Sequence, residues 1–266
     1  MAAPVTVSLD QLLSSPGSAP NPWTFRNLLV LLGCALLALV AANVLAVTGY
    51  ALLYPRVDLK RAPDLLRYNT LFHVALLTLF HALFLGVVYL FLVVNHRLPF
   101  WSGMKWRRIS GQGAFWCALA GGVLAILIQL APPILPSSQE FPLQKLFNSP
   151  ESGYAIAAFA ILLAPFMEEL IFRGVLFAFL ERLTGVALAV VGTSLLFAAL
   201  HVSQYWGAWN HVALITLVGV CFSIVRGVTG SVTPGYILHT AYNATLIAGL
   251  FWQTNYFRSF PANLGP

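Results

Sequence analysis

The chain has 266 residues, of which 59% are hydrophobic and 8% are Asp, Glu, Lys or Arg, against about 45–50% apolar and about 25% charged in a soluble domain. With a mean hydropathy of +0.82, it has too few charges to clothe a soluble surface and too many apolar residues for intrinsic disorder. Fourteen Lys and Arg against eight Asp and Glu give a net charge of +6. The basic residues fall between apolar runs, so membrane lipid rather than nucleic acid is the expected partner.

Residues 1–25, rich in Pro, Ser and Ala, read as a flexible N-terminal lead-in. Apolar runs long enough to cross a bilayer then occupy Leu28–Leu53, Leu71–Val94 and Gly113–Leu135, within an N-terminal transmembrane region of residues 26–150. Arg97, Lys105, Arg107 and Arg108 lie beside Trp101 and Trp106 between the second and third runs, a mix that favours a membrane surface. His73 and His81 stand inside the second run and read as hydrogen-bonded structural residues. Cys34, Cys117 and Cys221 sit in apolar stretches without metal-binding spacing and read as small packing residues.

From about Tyr154 ionisable residues appear inside the apolar runs, which points to residues 151–252 as the half expected to carry function, followed by a tail at 253–266. Further spans are expected at Tyr154–Leu180, Val186–His201, His211–Val225 and Val232–Trp252. The fold class is therefore an all-α, polytopic transmembrane helical bundle of about seven spans, within a range of six to eight. Arg26, Arg97, Lys105, Arg107, Arg108, Arg182 and Arg226 collect on one side, against Arg56, Lys60, Arg61, Arg67, Lys145 and Arg258 on the other. This balance leaves the membrane orientation undetermined.

The fourth span places Glu168, Glu169 and Arg173 in an apolar helix, where each central charge costs about 2.5–3.5 kcal/mol unless it is paired or solvated. Glu169 and Arg173 are four apart with the acid first, the better order for a pair on one face. Glu168 lies about 100° around the helix and should face the bundle interior. Phe197 and His201 end the fifth span, and His239 and Asn243 share one face of the seventh. Singly, each polar residue reads as well as interhelical glue as it does as a functional group. Together, one carboxylate, two imidazoles and one amide are the groups needed to activate water and hold an oxyanion.

Ala-Pro-Phe-Met-Glu-Glu-Leu-Ile-Phe-Arg-Gly, then Phe-x-x-x-His, then His-x-x-x-Asn, in that order over about residues 154–250, resembles the CPBP (Abi) family of intramembrane endopeptidases. That family includes the type II CAAX prenyl endopeptidase and bacteriocin-processing or self-immunity proteins. The resemblance implies a hydrolase that cleaves a peptide or membrane-protein substrate. Glu168 would be the general base, assisted by His201, with His239 and Asn243 as the oxyanion site. Glu169, Arg173 and Phe197 would support them. It also implies a multi-pass protein of the bacterial inner membrane. For cofactors the choice is none or zinc, held if present by Glu168, His201 and His239. The His-Glu-x-x-His helix of soluble zinc proteases is absent, and the version without metal is preferred. The alternative is a non-proteolytic immunity or scaffold protein of the same family. Substrate and oligomeric state are left open.

Overall fold

The computed structural model describes residues 22–55, 66, 69–131, 147 and 149–259. The N-terminal lead-in up to residue 21, the end of the third expected span, most of the basic residues assigned to the second side, and the tail from 260 lie outside them. Among the described residues there are only helices and turns, so the all-α bundle stands.

Helix α1 spans Phe25–Leu53 and starts where Thr24 Oγ1 accepts the Asn27 N–H at 3.3 Å. Helix α2, Thr70–Leu90, is capped by Asn69, whose side chain accepts the Phe72 N–H at 3.0 Å, and runs on as a π turn over Phe91–Asn95. These caps satisfy amide groups that a helix start would otherwise leave bare in the bilayer. A short helix α3, Phe100–Gly103, precedes α4, Gly111–Leu130. Helix α1 buries Leu31, Ala38 and Ala42 and leaves Leu32, Leu37 and Leu52 exposed, as expected of a helix that faces lipid on its outer side.

The fourth and fifth expected spans form one helical run of 52 residues, Pro150–His201. It begins with α5, Pro150–Ala158, entered through a reciprocal Ser149–Ser152 capping box. A π segment at Phe159–Leu163 leads to the short α6, Ala164–Glu169. A second π segment at Leu170–Leu176 leads to α7, Phe177–His201. Drawn straight, such a run would reach about 78 Å, far beyond the roughly 30 Å hydrocarbon core. Gly185, at φ 82 and ψ 172, breaks it in a conformation that is essentially glycine's own. The chain then doubles back, so that Phe197 packs on Phe172 with ring centroids 5.1 Å apart.

Helices α8, Trp209–Thr229, and α9, Thr233–Gln253, complete the bundle. Helix α9 lies along α4, and α8 along α7. Ala125, Val218, Phe222, Leu238 and Tyr242 form the core where α4, α8 and α9 meet. Among the described residues five segments are long and apolar enough to cross a membrane. Each of the seven expected spans has a helical counterpart: Pro150–His201 carries two of them on either side of Gly185, and α9, whose polar side chains lower its hydropathy, carries the seventh. One correction concerns Arg226, counted from sequence as a loop charge. It lies in the last turns of α8 and is 2% exposed.

The ends of the bundle differ. At one, Val232 N–H donates to Lys105 O at 3.1 Å and Arg107 N–H to Ser231 Oγ at 3.3 Å, tying the basic loop to the α8–α9 turn. The start of α2 and the end of α7 lie at the other.

Candidate active site

Glu168 and Glu169 occupy a six-residue α-helical stretch between two π segments. Such segments widen a helix by one residue per turn and divert its hydrogen bonds. At the first, Ala164 N–H reaches back to Phe159 O. The next donor along would be Pro165, which has no N–H. Ala160 O is thus left without a ladder partner, and Asn243 Nδ2 on α9 donates to it at 2.8 Å. At the second, Phe177 N–H goes to Phe172 O, and Arg173 O takes a hydrogen bond from Arg226 Nε on α8 at 3.1 Å.

The two glutamates diverge as their spacing predicts. Glu169 is fully buried, and its Oε1 accepts from Arg173 Nη1 at 2.9 Å. Arg173, also fully buried, sends Nη2 to Gly219 O at 3.0 Å and places its guanidinium over the Phe197 ring at 4.7 Å. Delocalised charge on an aromatic face suits this dry setting. Glu169 Oε1 also accepts from His239 Nδ1 at 3.0 Å. Glu169 therefore orients His239 as well as pairing Arg173, a link that sequence spacing did not reveal. A Cβ on Gly235 would come within 2.9 Å of Glu169 Oε2, so this glycine makes room for the carboxylate.

Glu168 instead lines a cavity of about 310 Å³. His201, His239, Asn243 and Phe197 share that lining, so every residue expected to be catalytic from the sequence meets in one space. His239 Nε2 lies 3.7 Å from Glu168 Oε2, a gap wider than a direct hydrogen bond. His201 donates Nδ1–H to Phe197 O at 2.8 Å, which fixes the ring and leaves Nε2 as its second functional nitrogen. Phe197 therefore supports His201 through its backbone and Arg173 through its ring. The Asn243 amide has one further N–H beyond the one given to Ala160 O.

The rest of the lining is largely apolar and comes partly from outside the motif-bearing half: Thr70, His73, Val74 and Leu77 of α2 form one wall. His73 and His81 are hydrogen-bonded through Nδ1 to Asn69 O at 2.8 Å and Leu77 O at 2.6 Å. That bonding fits their structural reading, but the presence of His73 in the cavity was not anticipated. Only a polar residue inside an otherwise apolar run hinted at it. Gln204 and Tyr205, from the turn after α7, also reach the cavity. Burial pushes the Tyr205 phenol above its ordinary range, so it stays a neutral hydroxyl there.

Among the described residues no three His, Cys, Asp or Glu side chains are grouped to hold a metal ion. Both candidate imidazole ligands use Nδ1 in a hydrogen bond, His201 to Phe197 O and His239 to Glu169 Oε1, which leaves Nε2 of each facing other partners. No chemical step is assigned to a metal.

Residues 150–245 match a family described as Rce1-like, type II CAAX prenyl endopeptidase Rce1-like. The matched segment runs from the start of α5 into α9 and contains Glu168, Glu169, Arg173, His201, His239 and Asn243. No curated protein and no solved structure matches the chain.

Proposed function

We propose, from the match of residues 150–245 to the Rce1-like, type II CAAX prenyl endopeptidase family, that this multi-pass membrane protein hydrolyses peptide bonds at a site within the bundle. The observation that carries the reading is the convergence of Glu168, His201, His239 and Asn243 on one cavity with mostly apolar walls. A peptide segment lies there with its scissile carbonyl between Glu168 and the His239–Asn243 face of α9. Glu168 removes a proton from a water molecule as its oxygen bonds to the carbonyl carbon, with His201 Nε2 holding the water in line. The oxyanion accepts hydrogen bonds from His239 Nε2 and from the second Asn243 N–H.

In this arrangement His239 carries a proton on both nitrogens, and Glu169 secures the Nδ1 side. When the tetrahedral intermediate collapses, the carbon–nitrogen bond breaks and Glu168 returns its proton to the leaving amine. Arg173 and Glu169 do not touch the substrate; they hold His239 and the helix that carries the base. This reading assigns the activation of water to Glu168 and His201 rather than to a metal ion. Leader peptides and membrane proteins of a bacterial inner membrane are the substrates we favour.

The test is Glu168→Gln, which keeps shape and removes the base. Cleavage of membrane peptides, compared by mass spectrometry in cells carrying either form, should fall by about 10²–10⁴-fold. The melting temperature of the purified protein should stay within a few degrees. Undiminished cleavage overturns the mechanism, and a biological effect that survives without cleavage favours an immunity or scaffold role.

A further inference from the structure

We propose that Arg226, which lies outside the three sequence motifs, is a positioning residue for this site: it holds the π segment from which Arg173 reaches Glu169 and His239. The inference rests on the proteolytic reading only for its effect on turnover. Its structural part stands on the geometry. Arg226 is 2% exposed although it carries a full charge near a helix end that sequence alone assigns to the membrane surface. A long basic side chain at such a place ordinarily extends to the headgroups, whereas this one turns inward.

Its inward contacts account for the cost. The Nε–H donates to Arg173 O, the carbonyl from which the π segment has diverted its helical donor. The guanidinium lies over the Phe177 ring at 5.0 Å. Nη2 approaches Glu181 Oε2, on the outer part of α7, at 3.7 Å. Guanidinium geometry is what allows one side chain to serve a carbonyl and a carboxylate together, because its N–H groups diverge in a rigid plane. From Arg226 a continuous set of bonds runs inward: Arg173 backbone to Arg173 side chain, Nη1 to Glu169 Oε1, and Glu169 Oε1 to His239 Nδ1. The contact at Arg173 O lies one π segment from Glu168. Asn243 plays the matching part at Ala160 O on the other side, so the two glutamates sit between two side-chain clamps supplied by α8 and α9.

Loss of the clamp should disturb His239 and the base without altering the apolar walls that hold substrate. The histidines supply a local readout, because His73 is hydrogen-bonded to Asn69 O at the start of α2 and, among the described residues, takes no part in the Arg226–His239 set of bonds. The protein is labelled with ¹⁵N-histidine and reconstituted in lipid nanodiscs, and the His239 and His73 ring signals are assigned from single His→Gln variants. Arg226→Met should move the His239 ring signals and leave those of His73 in place, and Arg226→Lys should restore them partly. With a fluorogenic peptide carrying a bacterial leader sequence as probe, Arg226→Lys should lower kcat about tenfold with KM within about twofold.

Unmoved His239 signals in a folded Arg226→Met protein overturn the proposal, and so do equal movements of His239 and His73, which mark general loosening. If Arg226→Met does not fold, Glu181→Gln and Arg226→Lys decide: each should give a smaller His239 displacement, and none in either is a refutation. Should the peptide be cleaved equally by the wild type and Glu168→Gln, the proteolytic reading fails while the His239 result still decides the role of Arg226.

Discussion

Glu169 and Arg173 are both fully buried in a span, and their mutual bond accounts for only part of what holds them. Gly219 O, the Phe197 face and His239 Nδ1 supply further contacts, while Glu169 Oε2 and Arg173 Nε make no hydrogen bond among the described residues. Removing one partner leaves a buried charge without compensation, which costs about 3–5 kcal/mol. Arg173→Met is therefore expected to lower the unfolding midpoint sharply in a denaturant titration, whereas Glu168→Gln, on the cavity wall, leaves it nearly unchanged. Equal midpoints for both variants would dissolve the distinction between the two glutamates. This division was legible in the sequence, because a 100° step between neighbours and an i, i+4 acid–base pair are helix geometry. The bond from Glu169 to His239 was not legible, since it depends on how α9 sits against α6 and no local rule sets that placement.

Element by element, the helix boundaries followed from apolar length and capping residues such as Asn69, Ser110 and Ser149. The π segments did not, because their cause lies in tertiary partners. Pro165 alone gave a local sign, as it guarantees a missing N–H inside a span. Asn243 answers that missing donor, which gives it a structural duty beside any part in catalysis. Asn243→Ala leaves Ala160 O unpaired in an apolar setting and should cost about 1–3 kcal/mol of stability, read as a lower melting temperature. A variant that lost activity with an unchanged melting temperature would show the Ala160 bond to be dispensable. Gly185 makes a second prediction at this scale. Gly185→Val must adopt a backbone region that β-branched residues avoid, at a cost of about 1–3 kcal/mol, and the yield of folded protein should drop.

For the molecule as a whole, the sequence motifs account for the polar half of the cavity and say nothing of its opposite wall. That wall belongs to α2, outside the matched family segment. Val74→Phe narrows the cavity from its α2 wall. It should impair cleavage through a raised KM with little change in melting temperature; unaltered kinetics would place the substrate elsewhere. The break at Gly185 and the last helix were both legible, as the gap between the expected spans Tyr154–Leu180 and Val186–His201 and as the span Val232–Trp252; the π segments that join the fourth span into one run were not.

The partners of the Glu169–Arg173 pair also set an order of events during synthesis. Gly219, Arg226 and His239 leave the ribosome later than the span they stabilise. Until they arrive, residues 164–176 enter the bilayer with charges whose insertion costs about 2.5–3.5 kcal/mol each before pairing offsets it. The nascent span should therefore linger at the insertion machinery until α8 and α9 emerge. In a chain stopped at residue 205, residues 150–205 should stay open to added protease and the chain be degraded in a pulse-chase experiment, while in one extending through residue 259 they become protected and long-lived. Equal protease protection of residues 150–205 in the two would show that the pair alone suffices for insertion. The charges that shape the site thus make the C-terminal helices a checkpoint in the protein's biogenesis.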